Sequence, residues 1–184
     1  MAKILFIQNI MAEYPGIMYL SAVLKDRGHK CSVVISTKTS DYLKAIKSEK
    51  PDIIAFSIMT GMHLWAIATA QELKKKVPDI KIIFGGVHPT YFPEIIEQPG
   101  VDIICRGEGE LAILELMNAL DSGSEILDIA DLWVKEEGKI IKNDVRNLIG
   151  DLDEIPFMDR ELYYEKYPFL KNKYPRPEGR GILC

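Results

Sequence analysis

The sequence predicts a flavodoxin-like (Rossmann-like) doubly wound α/β domain, with a five-stranded parallel sheet, a C-terminal β-hairpin and a linker. Over residues 3–123, short β-branched runs alternate with longer helical patterns, which is typical of repeated β-α units. The short runs are almost continuously apolar, as expected of parallel strands that helices cover on both faces. After Gly123 this alternation stops and a hairpin pattern begins.

Turn and capping residues set the boundaries of the predicted elements. The first helix ends at Gly28, the second stops at Pro51 and the third stops at Pro78, because glycine caps a helix and proline cannot continue one. The strands are predicted at residues 3–8, 30–35, 52–57, 81–84 and 102–105, and the helices at residues 17–27, 40–50, 63–77 and 109–120. In the last helix, the stripe formed by Leu111, Leu114, Met117 and Leu120 is expected to face the sheet.

The last third of the chain predicts an appendage. Residues 132–134 and 139–141 flank Gly138 as the strands of a hairpin would, and we expect this hairpin to extend one edge of the sheet. From Asp151 onward the chain is rich in proline, tyrosine and charge, without a clear period. We therefore assign residues 1–150 to a binding domain and residues 151–184 to a poorly anchored linker, cut before a further domain.

Composition excludes several classes of function. The 184 residues carry a net charge of −4 and have a pI near 5.5, so there is no basic stripe for nucleic acid. The N-terminal apolar run is too short for a signal sequence or a membrane span. Cys31, Cys105 and Cys184 are far apart and form neither a redox pair nor a zinc cluster. We expect a soluble cytoplasmic protein with no membrane or nucleic-acid partner.

Four loops that follow strands predict one ligand site. They lie at residues 9–16, 57–60, 85–89 and 107–110, and ligands of parallel sheets bind beyond the carboxyl ends of the strands. None of the loops carries G-x-G-x-x-G or a P-loop, and Gln8, Asn9 and Ser57 stand where a phosphoacceptor domain needs acids. The remaining small and hydroxyl residues favour a bulky, mostly neutral ligand.

In this order the motifs resemble the cobalamin-binding domain at the N-terminus of radical S-adenosylmethionine enzymes. The resemblance covers nearly the whole chain and extends to the sequence Asp-Leu-Asp-Glu-Ile-Pro at residues 151–156. The residues that carry it are Pro15-Gly16-Ile-Met-Tyr-Leu20, Gly28-His29, Ser57-Ile-Met-Thr60, Gly85-Gly-Val-His-Pro-Thr90, Pro93-Glu94 and the run from Asp102 to Glu110.

The resemblance implies that this chain binds cobalamin, with the dimethylbenzimidazole tail beside the sheet. It assigns the tail pocket to Ser57, Thr60, Gly85, Gly86 and residues 107–109. The full set of expected cofactor-binding residues is Pro15, Gly16, Ser57, Met59, Thr60, Gly85, Gly86, Val87, His88, Gly107, Glu108 and Gly109.

The resemblance also implies a downstream radical S-adenosylmethionine domain, which would hold the [4Fe–4S] cluster and S-adenosylmethionine. The C-x-x-x-C-x-x-C motif of such a domain is missing from this sequence, so we assign no catalytic residue here. Methyl transfer, cyclisation and rearrangement remain open. Residues 9–16 contain no histidine that could ligate cobalt from below, and we assign no metal ligand.

Each motif taken alone also has a purely structural explanation. Gly85-Gly86 could form a tight turn, Ser57 could cap a helix, and Glu108 could favour a helix amino terminus. We expect His88 to brace its loop and His29 to lie at the surface. Two other functions stay open: a nucleotide or nucleotide-sugar binding half of a two-domain transferase, and a regulatory domain without a ligand.

Overall fold

The computed structural model describes residues 1–173, in which seven strands form one mixed sheet. Helices alternate with the first five strands. The strands are β1 (Lys3–Gln8), β2 (Lys30–Ile35), β3 (Ile53–Ser57), β4 (Lys81–Gly85), β5 (Ile103–Cys105), β6 (Leu132–Glu136) and β7 (Lys139–Lys142). The helices are α1 (Pro15–Asp26), α2 (Thr39–Glu49), α3 (His63–Lys76), α4 (Val87–Tyr91), α5 (Glu110–Ser122), α6 (Glu161–Tyr164) and α7 (Leu170–Lys173), with 3-10 turns at Pro93–Glu97 and Leu152–Glu154.

The strand order is β2-β1-β3-β4-β5-β6-β7. The first five strands are parallel, and β6 and β7 join antiparallel, with Trp133 of β6 opposite Ile104 of β5. The predicted five-stranded parallel sheet and its edge hairpin are therefore confirmed, and together they make one seven-stranded sheet. The order reverses between β1 and β3, which is the position at which such folds bind ligands.

The alternation of side chains along each strand builds two cores. Ile53 and Ala55 belong to the core on one face of the sheet, and Ile54 and Phe56 belong to the other. The first face is covered by α1 and α5, and the second by α2 and α3. No helix within residues 1–173 is long and apolar enough to cross a membrane.

The face that α5 buries differs from the prediction. Its buried residues include Ala112, Ile113 and Leu116, whereas Leu111 is 43% exposed. Of the predicted stripe, Met117 is fully buried and Leu114 and Leu120 pack partly buried against the core, so the prediction is wrong at Leu111 alone. The buried face includes Ala112 instead, because small residues allow a helix to lie close to its neighbours. Neither α4 nor the 3-10 turn between β4 and β5 was predicted from the sequence.

His29 is buried, which contradicts the surface position expected for it. Its ring is 5% exposed, Nδ1 accepts a hydrogen bond from the Ala2 amide at 3.3 Å, and Nε2 lies 3.0 Å from Asn118 Oδ1. The ring therefore joins the start of β1 to α5. A histidine with both nitrogens bonded can be buried at low cost, which its position before a strand does not reveal.

The segment 158–170 packs against the domain, so the expectation of poor anchoring is wrong for these residues. Tyr163 and Leu170 are almost fully buried. Asp159 Oδ2 accepts from Ser21 Oγ at 2.6 Å and pairs with Lys25 Nζ, also at 2.6 Å. Its apolar residues have no regular period, which hid the packing. Residues 174–184 lie outside the described part of the chain, and a linker role for residues 151–184 stays a prediction.

Candidate functional site

A cleft of about 220 Å³ opens at the carboxyl ends of β1, β3, β4 and β5, on the face covered by α1 and α5. Both the sheet and the two helices contribute to its walls. The lining residues are Phe6, Gly16, Leu20, Ala55, Phe56, Ser57, Ile83, Gly85, Gly86, Cys105, Gly107, Glu108, Gly109, Glu110 and Ile113.

The cleft exists because the sheet carries small side chains where each strand ends. In the parallel register, Ser57 lies beside Gly85. A Cβ built on Gly85 would lie 3.8 Å from Cys105 Cβ, which places this glycine beside β5 as well. Two residues earlier along the same two strands, and on the same face of the sheet, Ala55 lies next to Ile83. Small residues at these positions leave a gap between the sheet and the helices that cover it.

Gly109 lets α5 start close to α1. A Cβ at this position would lie 3.2 Å from Leu20 Cδ2 of α1 and 3.8 Å from Cys105 Sγ. Any larger residue would press on Leu20 or fill the cleft. The glycine therefore sets the distance between the two helices at the mouth of the cleft.

Gly85 and Gly86 have different roles, although both line the cleft. Gly86 has a φ of +95°, and a Cβ there would lie 2.9 Å from the carbonyl oxygen of Ile58. Gly85 has no positive φ, and a Cβ there would make only ordinary contact with Cys105. The tight-turn explanation therefore applies to Gly86, whereas the open space at Gly85 is compatible with a ligand.

His88 braces the loop after β4, as expected from the sequence. It is 7% exposed, its Nδ1 lies 3.0 Å from Thr60 Oγ1, and its ring stacks on His63 at 4.3 Å between centroids. Burial, and to a lesser degree His63, lower the pKa of His88. Neither His88 nor Thr60 lines the cleft, and both are occupied in joining the loops after β3 and β4.

Glu108 lines the cleft and also anchors the chain that follows the hairpin. Its Oε2 accepts from the Ile149 amide at 2.7 Å. Nearby, Thr90 Oγ1 donates to the Gly86 carbonyl at 2.9 Å and accepts from the Gly107 amide at 3.1 Å. The two Thr90 bonds tie the segments after β4 and β5 together. The bond from Ile149 gives Glu108 a structural role other than the stabilisation of a helix amino terminus that the sequence suggested.

The floor of the cleft is uncharged. Cys105 is 7% exposed, and burial raises the pKa of its thiol to about 12, so it is protonated at neutral pH. The charged residues that line the cleft are the acids Glu108 and Glu110. Within residues 1–173 no three His, Cys, Asp or Glu side chains are grouped as metal ligands.

The structure brings together seven of the twelve residues predicted for the site. They are Gly16, Ser57, Gly85, Gly86, Gly107, Glu108 and Gly109. The other five do not line the cleft; Met59 and Val87 are more than half exposed, and the remaining three are Pro15, Thr60 and His88.

The inner wall of the cleft was not predicted from the sequence. Ala55 and Cys105 are small residues in otherwise large apolar strands, and a two-residue period places them on the face of Ser57 and Gly107. That period was present in the sequence as a signal. The lining residues missed were Phe6, Leu20, Ala55, Phe56, Ile83, Cys105, Glu110 and Ile113.

Together, the sheet order and the cleft define a ligand-binding α/β domain of the doubly wound class. The family model of the B12 binding domain matches residues 12–117. The chain belongs to this family and is a cobalamin-binding domain.

Comparison with known proteins agrees with this assignment. The chain is 33% identical over 153 residues to an uncharacterized methyltransferase of Pyrococcus horikoshii, covering 80% of this chain and 33% of that protein. It is 32% identical over 167 residues to the anaerobic magnesium-protoporphyrin IX monomethyl ester cyclase of Rubrivivax gelatinosus, covering 84% of this chain and 30% of the cyclase. The chain thus spans about a third of the length of these curated relatives.

Among solved structures, the fold is similar to that of the cobalamin-dependent S-adenosylmethionine radical enzyme OxsB with aqua-cobalamin and S-adenosylmethionine bound. The TM-score is 0.76 at 20% identity, and the alignment covers 92% of this chain and 25% of OxsB. These comparisons do not favour the nucleotide-sugar transferase that the sequence left open.

Proposed function

We propose that the cleft holds the dimethylbenzimidazole base of cobalamin, and that this domain presents the cofactor to a radical S-adenosylmethionine domain of a longer protein. The placement of the base in the cleft is supported by one observation, the row of small residues at the strand ends. The second part is supported by the relatives, which are about three times as long as this chain and include a cyclase and a methyltransferase.

The cleft fits a flat, uncharged aromatic base. Apolar and small side chains line most of it, and the Cys105 thiol in its floor is neutral at pH 7. Ser57 offers a compact hydroxyl that can donate or accept a hydrogen bond. No lysine or arginine lines the cleft within the described residues, so nothing there favours a phosphate-rich ligand instead.

This chain's own residues would bind and orient the cofactor. Gly85 at the end of β4 and Gly107 in the loop after β5 would let the base approach the backbone. Leu20 and Ile113 of the covering helices would close over it and exclude water. Met59 in the loop after β3 and Val87 at the start of α4 are both exposed and would pack against the corrin ring. When bound, cobalamin supplies a cobalt centre for methyl transfer or radical chemistry.

The test is cofactor retention by the parent protein and by Gly85→Val. We expect the parent to keep corrin absorbance after incubation with hydroxocobalamin and desalting. The new side chain should weaken binding at least about tenfold, or roughly 1.4 kcal/mol, because it occupies the space for the base. Valine suits a strand and Gly85 has no positive φ, so the fold should persist.

Gly150→Val is the matched control. Gly150 also lacks a positive φ, and a Cβ there would have no neighbour within 4 Å. A parent protein that retained no corrin would contradict cobalamin binding by this chain. Equal affinity of Gly85→Val and Gly150→Val would contradict the placement of the base.

A further inference from the structure

The buried side chain of Gln8 binds the loop between β1 and α1, residues 9–14. Gln8 is 1% exposed, and its Nε2 donates to the carbonyls of Ile10 at 3.4 Å and Ala12 at 3.2 Å. We call residues 9–14 the first loop. The Ala12 amide also donates to the Ile10 carbonyl at 2.9 Å, so the Gln8 amide binds the same two residues that this turn joins.

The hydroxyl of Tyr163 fixes both Gln8 and the end of the first loop. It donates to Gln8 Oε1 and accepts from the Tyr14 amide at 3.3 Å. Tyr163 is fully buried, and burial raises the pKa of its phenol, so it keeps its proton across the physiological range. Without this hydroxyl, a buried acceptor on Gln8 and an amide at Tyr14 would each lose a partner.

The same contact orients a wall of the cleft. Tyr14 directly precedes α1, whose Gly16 and Leu20 line the cleft. The Tyr14 hydroxyl also lies 3.8 Å from Met62 Sδ, next to α3. Any movement of the first loop would therefore move the start of α1 relative to the strand ends.

We propose that Tyr163 is a positioning residue for the cofactor site: through Gln8 and Tyr14 it holds the first loop and the start of α1 in the binding geometry. Tyr163 lies outside the part of the chain that matches the family model, residues 12–117. Cofactor affinity then depends on the docking of segment 158–170. This inference rests on the proposed binding of cobalamin in the cleft.

The test compares Tyr163→Phe with Tyr167→Phe in the full 184-residue chain. The Tyr167 hydroxyl accepts from the Ile35 amide at 2.8 Å, at the end of the edge strand β2. Each variant keeps the ring and removes one hydroxyl that bonds a backbone amide. We expect cobalamin to bind roughly fivefold or more weakly to Tyr163→Phe, because less of the protein is in the binding geometry. Tyr167→Phe should bind like the parent.

Amide hydrogen exchange in the cofactor-free protein gives a second measurement. Exchange should accelerate in residues 9–14 of Tyr163→Phe, and those residues should exchange at the parent rate in Tyr167→Phe. Unchanged exchange in Tyr163→Phe would overturn the inference whether or not cobalamin binds. Equal losses of affinity in both variants would show a general effect of the segment and would also overturn it. A parent that binds no cobalamin would instead contradict the proposed function.

Discussion

His88 and His63 lie beside the cleft, and the contacts of His88 show that a residue type able to ligate a metal can have a structural role instead. The Nδ1 atom of His88 lies within hydrogen-bonding distance of the Thr60 hydroxyl, and the His88 ring stacks on the ring of His63. Its other close aromatic neighbour is Phe92, with ring centroids 5.0 Å apart. Burial disfavours the charged form of the His88 imidazole and lowers its pKa, so the neutral ring is favoured in the folded protein.

Acidification should therefore weaken the loops after β3 and β4. The pKa of His88 lies below its ordinary value of 6.5 in the folded state, so the unfolded chain takes up the proton first. The free energy of unfolding should fall as the pH drops below about 6.5, until the folded state is protonated as well. Urea unfolding of the parent and of His88→Phe at pH 7.5 and pH 5.5 measures this.

His88→Phe keeps the stacking on His63 and Phe92 but cannot titrate. We expect its stability to change less between the two pH values than that of the parent. The same pH dependence in both proteins would assign the effect to other groups.

At the level of secondary-structure elements, the hairpin and the chain that follows it are held by Arg146. Its guanidinium makes two 3.0 Å hydrogen bonds to the Glu115 carboxylate of α5 and pairs with Asp131, which is fully buried. The Arg146 amide also donates to Asp131 Oδ1 at 2.7 Å. This network places residues 143–149 beside Gly107, where Val145 Cγ1 would lie 3.2 Å from an added Cβ.

Arg146→Met should be strongly destabilising, because it leaves the buried Asp131 carboxylate without its cation. We expect a loss of about 3 kcal/mol in the free energy of unfolding, measured by urea titration. Arg27→Met is the matched control, since Arg27 and Asp26 form an exposed pair at 3.5 Å. The free energy of unfolding of Arg27→Met should fall by less than about 1 kcal/mol. Similar losses in the two variants would show that the network contributes no more than a surface pair.

Element boundaries were predictable from the sequence where local chemistry decides them. Gly28, Pro51 and Pro78 each mark the end of a helix, and the first five strands were located to within a residue or so at each end. The exposed side of Leu111 and the docking of Tyr163 were not predictable in this way. Both depend on which neighbour fills which space, and side-chain size and period do not contain that information.

The candidate site was predictable at its rim and less so in its interior. Loop motifs marked Ser57, Gly85 and Gly107 because glycines and hydroxyls at strand ends are conspicuous. The two-residue period puts Ala55 and Cys105 on the face of Ser57 and Gly107, but a continuously apolar parallel strand does not show which of its two faces borders a cleft.

On the scale of the whole molecule, segment 158–170 packs against the domain, although exposed residues precede it. Phe157 is 98% exposed and Leu152 is 66% exposed, whereas Leu162, Tyr163 and Leu170 are buried. Residues 151–154 and Phe157 are exposed, whereas Ile155 and Pro156 between them are half-buried.

Limited chymotrypsin digestion should cut after Phe157, because cleavage needs an exposed and locally extended chain. We expect the fragment that contains Tyr163 to stay bound to the rest of the domain on size-exclusion chromatography without denaturant, and to separate in urea. Phe157→Ser is the control and should remove this cut. Release of the fragment without denaturant would show that the contacts of segment 158–170 are too weak to hold it.

The register of the sheet also limits the depth of the cleft. Its inner row is Phe6, Ala55 and Ile83, and its next row contains Ser57 and Gly85. Rows on one face of a strand are about 6.6 Å apart. The row below, with Ile4 and Ile53, is almost fully buried and closes the bottom. The cleft is therefore about as deep as one fused aromatic ring system is long. Any group attached to a ring system inserted there must remain outside the sheet.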